Sequence, residues 1–331
     1  MKRAVWTSEG LDLDERELGA LEPGWVRLKV EACGICGSDL HFFHGRLPRP
    51  IGSSPGHEMA GTIIDGPPGL ADVRYAISPN VSCGACEFCR SGRDNLCRRG
   101  GYGLGLGRDG GLAEVVDAPA ANLAPIPDGV DAVTASLTEP LAVTVRGVGL
   151  GPVEPDSHVL VMGAGTIGLC AALVARDRAA HVAITARHPH QRAAAERIGV
   201  TALDEGDIAD WAKQHRPDVV IESVGGAAST IDDAVRVVRR GGRIVLIGTF
   251  DAPKAVDLML LMSKEVALQG SFCYSGGNRT HEFAMAAQLT GRWRDELAGL
   301  TTHQFALDDI GTAFATAADK RSGAIKVTLT P

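Results

Sequence analysis

Several things are scarce in this 331-residue chain, and each scarcity excludes something. No apolar stretch follows the charged start Met1–Gly10, so a secretory leader is not expected. The longest uncharged run, Val159 to Ala175, contains three glycines and is too short and too punctuated to span a bilayer. Positive charge is not in excess: 33 Lys and Arg stand against 40 Asp and Glu, a net charge of −7, which argues against nucleic acid or anionic lipid as partner. Cysteine is sparse at eight residues, yet four of them fall between 83 and 97, a clustering that favours metal over disulfides in a chain without a leader. A cytoplasmic protein is the expectation.

What is present is a long globular chain with 45% hydrophobic residues and 41 glycines, above the size at which one core usually stops growing. The first 140 residues are rich in Gly and Pro, with short β-type runs at Trp25 to Ala32 and Leu112 to Asp117, which predicts an irregular, mostly β domain. From about 155 the texture changes to apolar runs alternating with Ala- and Arg-rich helical stretches. The runs are His158 to Met162, His181 to Thr185, Asp218 to Glu222, Arg243 to Ile247 and Val266 to Phe272. Near-continuous apolarity is what a parallel strand buried on both faces requires, so the fold class is α/β with a doubly wound parallel sheet. The tail predicts helices over Glu282 to Leu289 and near Asp308 to Asp319, then a strand around Ala324 to Leu329.

The first run leads into Gly163-Ala164-Gly165-Thr166-Ile167-Gly168 and then a helical stretch. At a strand-to-helix junction these glycines permit the turn, the approach of a pyrophosphate to the backbone, and close helix packing, with helix amides facing the phosphates. No acidic residue ends the second run, where a carboxylate would accept the ribose hydroxyls of NAD. Arg187 stands there instead, with His188, His190 and Arg192 nearby, a set suited to a 2′-phosphate and favouring NADP over NAD.

Cys83-x2-Cys86-x2-Cys89-x7-Cys97 is spaced for four thiolates on one tetrahedral Zn²⁺, a closed structural site. A second constellation is dispersed: Cys36, Ser38, Asp39 and His41 in one motif, His57-Glu58 in another, and Glu139 in a third. Singly each has a bland reading as packing thiol, loop histidine or cap.

Together these landmarks resemble the zinc-containing medium-chain dehydrogenase/reductase family along essentially the whole chain. CGICGSD, GHE, the four-cysteine loop, EPLAV, GAGTIG, ESVGG and GGRIVLIG occur in that family's order. The resemblance implies a GroES-like catalytic zinc domain, residues 1–140 and 274–331, around a Rossmann dinucleotide-binding domain, residues 141–273. It implies a catalytic zinc on Cys36, His57 and either Glu58 or Glu139, with Asp39 holding the His57 ring. Ser38 and His41 would relay the proton. Glu139 stands where the alcohol dehydrogenase branch places a second Cys, which is similar to the polyol, sugar and threonine branches. Two zinc ions per chain, a small alcohol or carbonyl substrate and a homodimer or homotetramer follow as expectations; polyols, sugars and cyclitols lead the substrate classes. Phe42, Phe43 and the Phe272 to Ser275 segment would line part of the pocket. The competing reading is a catalytically inactive NADP-binding sensor or scaffold of the same fold.

Overall fold

In the strand Trp25–Gly34, Val26, Leu28 and Val30 are buried while Arg27, Lys29 and Glu31 are not, the two-residue period of a sheet with one wet face. A computed structural model describes residues 1–100, 103–179, 181–275 and 281–331. It divides into two compact units, Met1–Ala142 with Ser275–Pro331, and Val143–Tyr274.

The first unit is built on a seven-stranded sheet. Its order is Thr301–Ala306, Lys326–Thr330, Trp25–Gly34, Glu58–Asp65, Arg74–Ile77 and Leu123–Pro125, with Val115–Pro119 also pairing with Trp25–Gly34. The last strand of the chain therefore lies against one of the first, antiparallel, Leu329 opposite Cys33. Trp6, Leu28, Met59, Ile77, Leu112, Phe314 and Leu329 fill the core of this unit. Phe42 and Phe43 are drawn to that core: Phe42 lies 6.1 Å from Trp6 and Phe43 5.2 Å from Phe314 between ring centroids. These contacts bury apolar area on two rings that stay half-buried.

In the second unit six strands are all parallel, in the order Thr201–Leu203, His181–Thr185, His158–Met162, Val219–Glu222, Arg243–Leu246 and Ala267–Gly270. This is the doubly wound order with its switch beside the first strand, where the carboxyl ends open a crevice. Element ends differ from the sequence expectation by a few residues. The fifth apolar run shortens to Ala267–Gly270, the first tail helix lengthens to His281–Arg292, and the second is Ile310–Ala318 after a short 3-10 turn, Leu307–Asp309. Among the described residues no helix is long and apolar enough to cross a membrane.

Candidate active site

The strand Trp25–Gly34 delivers the chain to Cys36, which caps the seven-residue helix Gly37–Phe43 in an extended conformation. The buried Asp39 carboxylate accepts a hydrogen bond from the Cys36 N–H at 2.9 Å and so fixes the turn that presents the thiol. His57 and Glu58 arrive at the start of the strand Glu58–Asp65. One ligand atom from each of Cys36, His57 and Glu58 lies within 4.8 Å of the others, a set that can hold a metal ion.

One ring nitrogen of the histidine faces a carboxylate. Its Nδ1 lies 3.7 Å from Asp39 Oδ1, an electrostatic contact rather than a hydrogen bond, and both atoms are buried with no hydrogen-bond partner. In the neutral ring, a proton on Nδ1 facing Asp39 leaves the lone pair on Nε2, the nitrogen 3.4 Å from Ser38 Oγ. Burial alone would lower the His57 pKa. Asp39, Cys36 and Glu139 outweigh it and hold the ring well above its ordinary value, so the field in this pocket favours a cation. Glu139, buried at the start of the helix Thr138–Gly149, contributes to that field but lies outside the three-residue set. His41 is half-buried, one turn beyond Ser38 on the same helix.

The other four cysteines converge in the loop 83–97. Sulfur-to-sulfur distances are 3.5 Å for Cys86 and Cys89, and 3.9 Å for Cys83 with Cys89 and for Cys86 with Cys97. A disulfide needs about 2.05 Å. Four thiolates at about 2.3 Å from a tetrahedral zinc stand about 3.8 Å apart, which is the spacing seen. The loop also prepares thiolates: amide hydrogen bonds from Cys89 and Arg98 bring Cys86 down to about 6. Burial and sulfur contacts push Cys89 up to about 12, a proton that an arriving ion would displace.

At the crevice of the second unit, Gly163 has φ +96° and Gly165 caps the helix Thr166–Arg176, which carries Ile167 in its first turn. A Cβ on Gly168 would sit 1.7 Å from the Gly163 carbonyl oxygen, so only glycine lets the helix pack this closely. Arg187 follows the strand His181–Thr185, and its guanidinium bonds Glu205 at 2.7 and 3.0 Å. Arg192 pairs with Asp204, and His188 caps the helix Pro189–Arg197.

Known proteins resemble this chain. An alcohol dehydrogenase GroES-like domain matches residues 22–128 and a zinc-binding dehydrogenase domain residues 166–291. The L-galactonate-5-dehydrogenase of Escherichia coli K12 is 31% identical over 320 residues, spanning 92% of this chain and 89% of its own. The sorbitol dehydrogenase of Halalkalibacterium halodurans is 31% identical over 326 residues, 92% and 91%. The chain belongs to the zinc-binding alcohol dehydrogenase family. A structure assigned as a zinc-binding dehydrogenase of Sinorhizobium meliloti 1021, bound to NADP, superposes on it with a TM-score of 0.90 at 30% identity, covering 100% of this chain and 99% of that one.

Sequence reasoning missed two features of this dehydrogenase. Lys326, on the last strand, is buried and bonds Glu58 Oε2 at 2.5 Å and the Ile35 carbonyl at 2.9 Å. A single lysine inside the apolar run from Ala324 to Leu329 was its only signal. Glu205 and Asp204 were also missed; they follow the next strand, Thr201–Leu203, and so lie beside Arg187 and Arg192 in space but not in sequence. A third carboxylate, Glu222, accepts hydrogen bonds from the Val224 and Gly225 amides and from the Thr230 hydroxyl, pinning the loop after its strand at the crevice.

Proposed function

We propose that this dehydrogenase oxidises a secondary hydroxyl of a polyol, sugar acid or cyclitol, or reduces the matching ketone, with NADP preferred over NAD. The observation that carries this reading is the convergence of Cys36, His57 and Glu58 beside Asp39 and Ser38. Thiolate, imidazole and carboxylate form a zinc donor set, and the thiol loop forms a second one of structural type. Glu58 or Glu139 completes the first. Bound there, zinc supplies Lewis acidity to the substrate oxygen, and the nicotinamide supplies the hydride acceptor.

The residues of the chain do the rest. Asp39 keeps the His57 proton on Nδ1 so that Nε2 stays free to ligate. Ser38 Oγ, on the Nε2 side of that ring, accepts the substrate hydroxyl proton as it gives up its own, and His41 passes that proton onward to solvent. An imidazole suits that last transfer because its charge changes near neutrality. The sorbitol and L-galactonate relatives support a polyhydroxylated substrate. Absorbance at 340 nm over a panel of polyols, sugar acids and simple secondary alcohols tests the class: turnover of simple alcohols alone would overturn it.

Arg187 supports NADP by offering a guanidinium to a 2′-phosphate, with Arg192 and His188 behind it. Its present partner Glu205 is exposed, and a surface pair contributes at most about 1 kcal/mol, so exchange for a phosphate dianion is inexpensive. Glu205 also supports a second reading, in which that carboxylate takes the ribose hydroxyls of NAD. Arg187→Ala should raise KM for NADP at least about tenfold and leave that for NAD within about twofold. If the second reading holds, Glu205→Gln weakens NAD and Arg187→Ala changes neither.

Cys89→Ser should remove one zinc per chain and lower the melting temperature of the first unit by several degrees, while the other zinc stays bound. Unchanged melting would remove the structural ion from the account. Association as a homodimer or homotetramer is supported by the outer strand Ala267–Gly270 with exposed Leu268 and, nearby in sequence, Leu258, Met259 and Met262.

A further inference from the structure

Lys326 meets Glu58 because three strands of the first unit stand side by side. Thr328 is the register partner of Gly34 on the middle strand, and Gly34 is in turn the partner of Glu58. The Ile35 amide donates to the Val327 carbonyl at 2.9 Å, which holds the chain just before Cys36 against the residue that follows Lys326. From there the Lys326 ammonium donates to the Ile35 carbonyl at 2.9 Å and to Glu58 Oε2. Gly34 makes room for that carboxylate: a Cβ there would stand 2.2 Å from Glu58 Oε2, closer than any side chain allows.

Both ends of the pair are buried, with side chains 4% and 1% exposed. Taking two charges out of water costs about as much as their attraction returns, and an apolar pair of similar volume would be at least as stable. Stability alone therefore gives no reason for an ion pair at this place, beside the Cys36 and His57 donors. A reason lies in ligand strength. A carboxylate bonded to an ammonium is a weaker donor to a metal than one standing alone, and a fixed cation beside a metal site opposes the metal's charge. Cys36 and Glu139 act electrostatically on the Lys326 ammonium as Glu58 does, so this cation sits in the field of the whole donor set.

We propose that Lys326 is a positioning residue of this dehydrogenase: it competes with the metal for Glu58, and by weakening that one ligand it keeps a coordination position that a substrate oxygen can take. The proposal rests on the reading of Cys36, His57 and Glu58 as a zinc site and adds the residue that sets how firmly the carboxylate binds. Without the ammonium, Glu58 is a buried anion that has lost its countercharge, and it holds the ion more tightly. Tighter metal binding in a less stable protein separates this role from a merely structural one. A lysine that only supported the fold would, when lost, loosen the site and release the ion.

The test is zinc retention by the purified enzyme against rising concentrations of a chelator. Cys36→Ser is measured alongside and gives the share held by the four-thiol loop. Wild type should hold two zinc ions per chain and Cys36→Ser one. Lys326→Gln keeps a hydrogen-bond donor for Glu58 without the charge, and Lys326→Met removes both. In each of these two variants the second ion should resist the chelator at least about tenfold more than in wild type, and kcat should fall by a similar factor with KM for the cofactor unchanged. Lys326→Arg restores the charge and should return retention and kcat toward wild type. Retention of two ions with Lys326→Gln equal to wild type, or weaker, overturns the proposal and leaves the zinc site standing. A wild type that holds only the four-thiol ion overturns the zinc-site reading and the proposal together.

Discussion

Replacing His57 with alanine is expected to lower kcat by about 10³-fold or more, because the lost ligand removes several kcal/mol of charge stabilisation at the reacting oxygen. Zinc content should fall by one ion per chain. The four-thiol ion should remain, since its ligands belong to a separate loop. A companion change separates ligation from orientation. Asp39→Asn leaves the ligand in place but no longer attracts the proton on Nδ1, so a 10- to 100-fold loss of activity or zinc affinity is expected. Full turnover by zinc-depleted His57→Ala would end the metal-site reading, whereas equal damage from both variants would mean that Asp39 matters for folding rather than for tautomer choice.

Lys326→Met is expected to be the most destabilising single change in the first unit. The lysine and Glu58 are both buried, and removing one partner of a buried ion pair costs about 3 to 5 kcal/mol because the other charge is left without compensation. A drop of about 10 °C in the melting of this unit follows from that range. In the metal-free protein the double variant Glu58→Gln, Lys326→Met should recover part of the loss, since it leaves no lone charge. Burial lowers the Lys326 pKa, but Glu58 and Cys36 outweigh it and raise it above the ordinary 10.5. A pKa raised in the folded state contributes stability that is complete below 10.5 and lost above the folded value. The gap between wild type and Lys326→Met should therefore be flat through neutral pH and narrow only in alkali. A melting temperature within a degree of wild type would show that the pair is dispensable.

What the sequence displayed were features generated by neighbours along the chain. The cofactor strands stood out because a parallel strand covered on both faces must be apolar throughout, as Val219–Glu222 is. The four-thiol loop was equally plain, because all its ligands fall within one short segment. Lys326 was not, because its meaning depends on Glu58, 268 positions away, and a lone lysine in a strand ordinarily faces water. Arg187 was legible as a basic residue in a telling place, while its neutralisation by Glu205 depended on how two strands pair. The contacts of Phe42 with Trp6 and of Phe43 with Phe314 were not legible, because the rings that meet stand far apart along the chain.

The pairing of Lys326–Thr330 with Trp25–Gly34 has a consequence for biosynthesis. Residues 143–274 form a contiguous unit that can fold as soon as it leaves the ribosome, whereas the first unit waits for a strand translated nearly three hundred residues after its partner. Until Lys326 emerges, the carboxylate it neutralises has no countercharge. The sheet of the first unit is therefore completed only at the end of translation, after the second unit has emerged.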